Sequence, residues 1–209
     1  RSTKVPAEVL SGGEGSLRFV IRAGAGYDNI DCDAAAAKGI AVSNTPGMNA
    51  VAVAEIAMGH LINLDRRLCD QNAELKGGHW NKKKYSKAKG LKGRRLLVIG
   101  AGAIGRELIS RARAFGMDVD AADVMLDAAK AEALGVGLVR SSRADLLEAL
   151  PAYDAVSMHV PAIDETKGMC DAEFFGAMAE GSFFVNTSRG AIVDEAALAE
   201  AVSSGRIRA

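Results

Sequence analysis

Arg189 stands directly after the apolar run Ser182–Asn186, between Ser188 and Gly190. A guanidinium placed there can hold a carboxylate through two parallel hydrogen bonds and polarise a neighbouring carbonyl. The plainer alternative is an ion pair with Asp194 or Glu195. His159 also closes an apolar run, residues 155–160, where an imidazole can serve as a base or simply bond to backbone. Gly100, Gly102 and Gly105 form a third group, in G-x-G-x-x-G spacing. That spacing suits a diphosphate. The first glycine permits a tight turn, the second lets the diphosphate reach the backbone, and the third lets a helix pack on its strand.

These groups need elements to hold them. Leu96-Leu97-Val98-Ile99 is short, apolar and closed by Gly100, the pattern of a strand buried on both faces. A helix is expected over residues 103–115, with Ile104, Leu108, Ile109, Ala112 and Phe115 on one face. Its first-turn amides are unpaired and its dipole favours an anion. Asp123 follows roughly twenty residues after the glycines, at the end of a second strand, where a carboxylate binds ribose hydroxyls. Val124-Met125-Leu126 supply no cation for a 2′-phosphate, which favours NAD over NADP. Asp118 and Asp120 fit a buried strand poorly, so that strand reads as starting at Val119, or its boundary lies elsewhere.

The chain has 209 residues, with 26 Lys or Arg balanced by 26 Asp or Glu. No global field draws it to nucleic acid or to a membrane surface. Cys32, Cys69 and Cys170 lie far apart, without C-x-x-C, so neither a disulfide frame nor a metal site is expected. The most apolar stretch, residues 51–64, carries Glu55 and His60 and falls short of the ~18 residues a bilayer needs. A cytoplasmic protein is expected, with organellar targeting left open because the first residue is Arg1.

Along the chain, a short helix near Leu10 precedes a strand over residues 17–21 and the glycine-rich loop Arg22-Ala23-Gly24-Ala25-Gly26. Asp31 or Asp33 can cap an Ala-rich helix that Gly39 ends, and Ile40-Ala41-Val42 is the next strand. After the turn at residues 44–47, a helix is expected from Asn49 to Cys69. It is apolar on most faces, hence widely buried, against a second subunit of a homodimer; His60 on it reads as a packed or partner-bonded histidine. Residues 76–93 read as a linker that Trp80 anchors to the surface. Eight basic residues and no acid lie between Lys82 and Arg95, read as a solvated loop ahead of an anion site. Further strands at 136–139, 155–160 and 182–186 alternate with helices, the one after Ser142 capped by that serine. Such alternation gives an α/β, Rossmann-type doubly wound parallel sheet, whose ligands sit beyond the strands' carboxyl ends. That rule selects residues 100–105, Asp123, His159-Val160-Pro161 and Thr187-Ser188-Arg189-Gly190.

Five ordered segments, RAGAGYDNID (22–31), NTPGMNAVAVAE (44–55), GAGAIG (100–105), His159-Val160-Pro161 and NTSRGAIVDE (186–195), together resemble the D-isomer-specific 2-hydroxyacid dehydrogenases, most of all their phosphoglycerate-oxidising members. The resemblance runs along essentially the whole chain. It implies that residues 1–46 are part of a flavodoxin-like substrate lobe and residues 47–209 a C-terminally truncated NAD-binding domain, with the 49–69 helix at a dimer contact. By position, Arg189 would grip the substrate carboxylate and keto group, and the amides of Arg22, Ala23, Gly24, Ala25 and Gly26 would hold the same carboxylate. Ala103 and Ile104 would contact the diphosphate and Asp123 the ribose; Ala25, His159, Val160, Pro161, Thr187 and Ser188 would border the cofactor. Arg1, Arg22 and Lys82-Lys83-Lys84 match positive charge kept for a substrate phosphate. The implied activity is NAD-dependent hydride transfer with a D-2-hydroxy acid, foremost 3-phosphoglycerate to 3-phosphohydroxypyruvate in serine biosynthesis. Glyoxylate or hydroxypyruvate reduction and an NAD-sensing, corepressor-like module are the alternatives. The family's acid-base histidine and its glutamate lie C-terminal to the Arg189 motif, and His60, His79 and His159 do not match them. The 209 residues are therefore expected to bind NAD but to turn over poorly beside a version extended at both ends.

Overall fold

The computed structural model describes residues 3–12 and 15–209, so Arg1 of the expected phosphate set lies outside the described residues. Two compact units divide the chain, Arg1–Ala50 and Val51–Ala209. The first contains α1 (Ala7–Ser11), β1 (Phe19–Arg22), α2 (Cys32–Ala37) and β2 (Ala41–Asn44). β1 and β2 pair in parallel, Phe19 opposite Ala41 and Arg22 opposite Asn44. Of the two candidate caps it is Asp31 that starts α2, accepting the Ala34 N–H at 2.9 Å.

The second unit runs through α3 (Ala50–Arg66), α4 (Leu68–Lys76), α5 (Lys82–Tyr85), β3 (Arg95–Ile99), α6 (Ala103–Ala114) and β4 (Asp118–Ala122). It continues with α7 (Ala128–Leu134), β5 (Gly137–Val139), α8 (Arg143–Ala149), β6 (Ala155–Met158), α9 (Ala172–Ala177), β7 (Ser182–Asn186), α10 (Glu195–Ser203) and β8 (Ile207–Arg208). Six strands form one sheet in the order β5-β4-β3-β6-β7-β8, every neighbouring pair parallel. The strand order reverses between β3 and β6, which opens a crevice at their carboxyl ends. Alternation along β3 explains why helices cover both faces. Leu96 and Val98 pack with Ala57 and Leu61 of α3 and Leu108 of α6. Leu97 and Ile99 pack with Phe174, Phe175 and Phe184 on the other side. Each such side chain contributes about 1.5–3 kcal/mol when fully buried. The helix pattern of α6 holds for Leu108, Ile109 and Ala112, whereas Phe115 falls at the helix end and is half exposed.

Two expectations are corrected here. The helix read from Asn49 to Cys69 ends at Arg66, and Arg67 takes a left-handed conformation (φ 55°) before α4 begins. No Gly or Pro marks that break; the Asn63 side chain captures the Cys69 amide at 2.9 Å instead. The strand β4 begins at Asp118, not Val119. Asp120 is tolerated because its carboxylate accepts from the Tyr153 hydroxyl at 2.6 Å and from Arg95 at 3.1 Å. Burial and then that carboxylate push the Tyr153 phenol well up from its usual pKa. Gly137 sits opposite Asp120 in register, and a methyl there would come within 2.1 Å of the carboxylate. The surface roles of His60 and Trp80 also differ from expectation. His60 is exposed rather than packed, and Trp80, 79% exposed, anchors nothing.

Candidate functional site

The glycine turn between β3 and α6 assigns a different task to each glycine. Gly100 adopts φ +100°, and a methyl on it would meet the His159 carbonyl carbon and oxygen at 2.6 Å. Gly105 lies so close beneath the turn that a methyl would stand 2.0 Å from the Gly100 oxygen. At Gly102 the same methyl would meet nothing within 4 Å. The space over Gly102 and the unpaired amides of Ala103 and Ile104 is therefore an open cradle at the positive end of a twelve-residue helix.

Asp123, at the end of β4, does more than the spacing suggested. One carboxylate oxygen accepts the Ala101 N–H and the other the Met125 N–H, each at 2.7 Å. It braces the glycine turn while keeping lone pairs for ribose hydroxyls. Beside it lies a cavity of about 320 Å³ whose lining includes Met125, Leu126, Arg106 and Lys130. The linear pattern showed no cation near Asp123, yet the fold brings in two. Arg106 donates to the Ala101 carbonyl at 2.9 Å, and Lys130 donates to the Met125 carbonyl at 2.8 Å and pairs with Asp127 at 3.1 Å.

β6 runs beside β3 and β7 beside β6, with Met158 opposite Asn186, so His159 and Thr187 leave adjacent strands at the same edge as the glycine turn. The His159 amide donates to the Ile99 carbonyl at 2.7 Å. Its ring nitrogen Nε2 lies 2.9 Å from the Ser157 hydroxyl, while Nδ1 is buried without a partner, as is the Thr187 hydroxyl. Two orphaned polar atoms at the crevice, an open glycine cradle and the Asp123 carboxylate at the end of the next strand are features that suit a dinucleotide. Arg189 follows on a loop that Asn186 shapes. The Asn186 amide donates to the Arg189 carbonyl at 2.9 Å, and its oxygen accepts the Ser188 N–H at 3.0 Å and hydroxyl at 2.8 Å. The half-buried Arg189 guanidinium donates to the Ser188 carbonyl at 2.9 Å. Sequence reasoning overlooked Asn186, Arg106 and Lys130 as site residues; only the position of Asn186 at the strand end could have flagged it.

Burial lowers the His159 pKa from 6.5 to about 4. A group that acid is a poor base near neutrality. The same shift carries a stability consequence. Between pH 6.5 and 4 the unfolded chain takes up a proton that folded His159 refuses, so stability is complete above that window and falls as pH drops through it. The loss amounts to roughly 3 kcal/mol at the acid end. Denaturant unfolding at pH 7 and pH 4.5 is expected to show it, with His159→Gln flattening the difference.

In the first unit, the 22–26 loop sits at the carboxyl ends of β1 and β2. Arg22 folds back on it, donating to the Ala23 carbonyl at 2.9 Å and to Asn29 at 3.4 Å. Asn44 braces it through the Ala25 carbonyl at 2.7 Å, and the Thr45 amide reaches the Gly24 carbonyl at 3.1 Å. The Lys82–Tyr85 segment, read as part of a linker, is the short helix α5, with Lys84 paired to Glu74.

Comparison with known proteins places this arrangement. The family model described as "D-isomer specific 2-hydroxyacid dehydrogenase, NAD binding domain" matches residues 58–209. D-3-phosphoglycerate dehydrogenase of Methanocaldococcus jannaschii is 39% identical over 99% of the chain, which spans 38% of that protein. Hydroxypyruvate reductase of Thermotoga maritima is 41% identical over 100% of the chain and 65% of its own length. Among solved structures, D-lactate dehydrogenase from Aquifex aeolicus, complexed with NAD and lactic acid, superimposes with a TM-score of 0.82 at 32% identity, covering 98% of this chain and 59% of that one.

Proposed function

The chain belongs to the D-isomer specific 2-hydroxyacid dehydrogenase family, and from that premise we propose that the whole protein is an NAD-dependent oxidoreductase acting on a D-2-hydroxy acid. The observation that carries the reading is the open cradle over Gly102 at the same sheet edge as the Arg189 loop. Bound NAD would supply the hydride acceptor. Ala103 and Ile104 would take the diphosphate charge on their amides, Asp123 would accept ribose hydroxyls, and Thr187 and His159 would gain partners for their orphaned atoms. Arg189 would hold the substrate carboxylate and draw charge from the carbonyl. Oxidation also needs a base for the hydroxyl proton as hydride leaves C2, a contribution of about 10²–10⁴ in rate. The resemblance assigns it to a histidine oriented by a glutamate, C-terminal to Arg189.

For the substrate we favour 3-phosphoglycerate, since a relative of that name aligns with nearly the whole chain. Hydroxypyruvate is the second reading, favoured by the reductase at 41% identity. NADH oxidation by the whole protein decides between them. A kcat/KM at least tenfold higher for 3-phosphohydroxypyruvate supports the first, the reverse order the second, and no oxidation with either sinks both. We further assign residues 1–46 to the substrate lobe and 47–209 to the NAD-binding domain. The exposed Val51 and Ile56 of α3 suit a homodimer contact. Three free cysteines suit a cytoplasmic location, and no helix of the described residues is long and apolar enough to cross a membrane.

Asp123 would set cofactor choice, because its charge repels a 2′-phosphate that Arg106 and Lys130 stand ready to meet. Asp123→Asn is expected to weaken NAD binding about tenfold, near 1.4 kcal/mol, and to bring NADP to comparable affinity. Titration calorimetry with both dinucleotides checks this; an unchanged preference removes Asp123 from that role.

A further inference from the structure

The opposite edge of the same sheet carries a second concentration of charge that the dinucleotide reading does not use. A cavity of about 410 Å³ lies where Arg94 precedes β3, Asp154 precedes β6 and Ser182 opens β7. Seven Lys or Arg side chains line it against three Asp or Glu. The acids are already engaged in part. Asp65, buried, pairs with Arg94 at 2.8 Å and Arg66 at 3.3 Å, and Asp154 accepts the Arg95 amide at 2.9 Å. Arg94 and Arg208 are both drawn onto the ring of Phe183, at 4.6 and 4.5 Å from its centroid. Two like charges thus share one aromatic surface. Burial, and next the charge of Arg94, lowers the pKa of Arg208, which shows the crowding from the other side. Ser182, only 3% exposed, lines the cavity with a hydroxyl that has no hydrogen-bond partner.

We propose that this cavity is a binding site for a small multivalent oxyanion, inorganic phosphate or a phosphate ester, held by Arg94, Arg208, Lys87 and Lys89 with the Ser182 hydroxyl. Planar guanidinium forks match the oxygens of a phosphate, and an anion between them relieves the repulsion that the fold has assembled. The hydroxyl supplies the neutral donor such a group accepts. Small size follows from the volume. Multivalence follows from Lys87, Lys89 and Arg208, which line it without an acid partner among the described residues, while Arg67 and Lys84 pair with Asp70 and Glu74. The site is on the edge opposite the glycine turn, so it stands or falls independently of dinucleotide binding.

Thermal unfolding and calorimetry of the 209-residue chain with inorganic phosphate, at ionic strength held constant with sodium chloride, test the proposal. Phosphate at 10 mM is expected to raise the midpoint by a few degrees, as mass action requires for a dissociation constant below about 1 mM. Arg208→Gln combined with Lys87→Gln should weaken phosphate at least tenfold. Ser182→Ala, which leaves every charge and ion pair in place, should weaken it about threefold to tenfold, and Lys38→Gln in the first unit should leave it unchanged. The proposal fails if chloride alone gives the same shift, or if the double variant and Ser182→Ala bind phosphate as tightly as the parent. Retention by the double variant would also place any phosphate elsewhere, for instance at the start of α6.

Discussion

Arg189→Ala in the whole protein is expected to lower kcat/KM for the 2-keto acid by about 10²–10³ while leaving the NADH dissociation constant within about twofold. The size follows from truncating one partner of a buried, hydrogen-bonded charge pair, which costs about 2–5 kcal/mol because the substrate carboxylate then loses both forks of the guanidinium. Asn186 holds the backbone of this loop through the Ser188 amide and the Arg189 carbonyl, so the loop keeps its course when the side chain is removed. The dinucleotide cradle lies on β3 and α6, and its amides do not depend on the guanidinium. Arg189→Lys should recover only part of the loss, since an ammonium offers a point charge in place of a planar fork. Single-turnover and steady-state NADH oxidation measure both quantities. Absence of NADH oxidation with any 2-keto acid in the parent, together with a variant that changes only the state of association, would favour the corepressor-like module over the enzyme.

What was readable before the fold, and what was not, divides by distance along the chain. The glycine fingerprint was legible because each glycine answers a local need, and the spacing to Asp123 follows from the lengths of one helix and one strand. The parallel sheet was legible from the alternation of short apolar runs with helical segments, down to β7 at Ser182–Asn186. Asp120 was puzzling in sequence because Tyr153 and Arg95, which satisfy it, lie 33 and 25 residues away. The break at Arg67 was hidden for another reason. A side-chain capture by Asn63 does the work usually left to Gly or Pro, and apolar composition continues across it. The cation-lined cavity was illegible for the same cause as Asp120, on a larger scale. Arg208 joins Lys87 and Arg94 only through the sheet order.

A pair of valine substitutions three residues apart should give opposite outcomes, and their contrast isolates binding from folding. Gly105→Val places its branched side chain against the Gly100 carbonyl, which even a methyl would approach to 2.0 Å. The helix and its strand would have to separate, at an expected loss of about 3 kcal/mol or more. For a domain of this size that lowers the unfolding midpoint by about 6–12 °C, and it removes a large share of the ~5–15 kcal/mol that holds a typical fold. Gly102→Val faces open space, and its extended backbone (φ −69°, ψ −163°) is one any residue adopts. Its midpoint is therefore expected to stay within about 2 °C of the parent. Its affinity for NADH should nevertheless fall at least about 100-fold, because the side chain fills the position through which the diphosphate reaches the helix amides. Scanning calorimetry and NADH fluorescence titration on the two variants read these quantities separately. If Gly102→Val kept full affinity for NADH, the diphosphate would have to lie away from this turn, and the reading of the crevice would go with it.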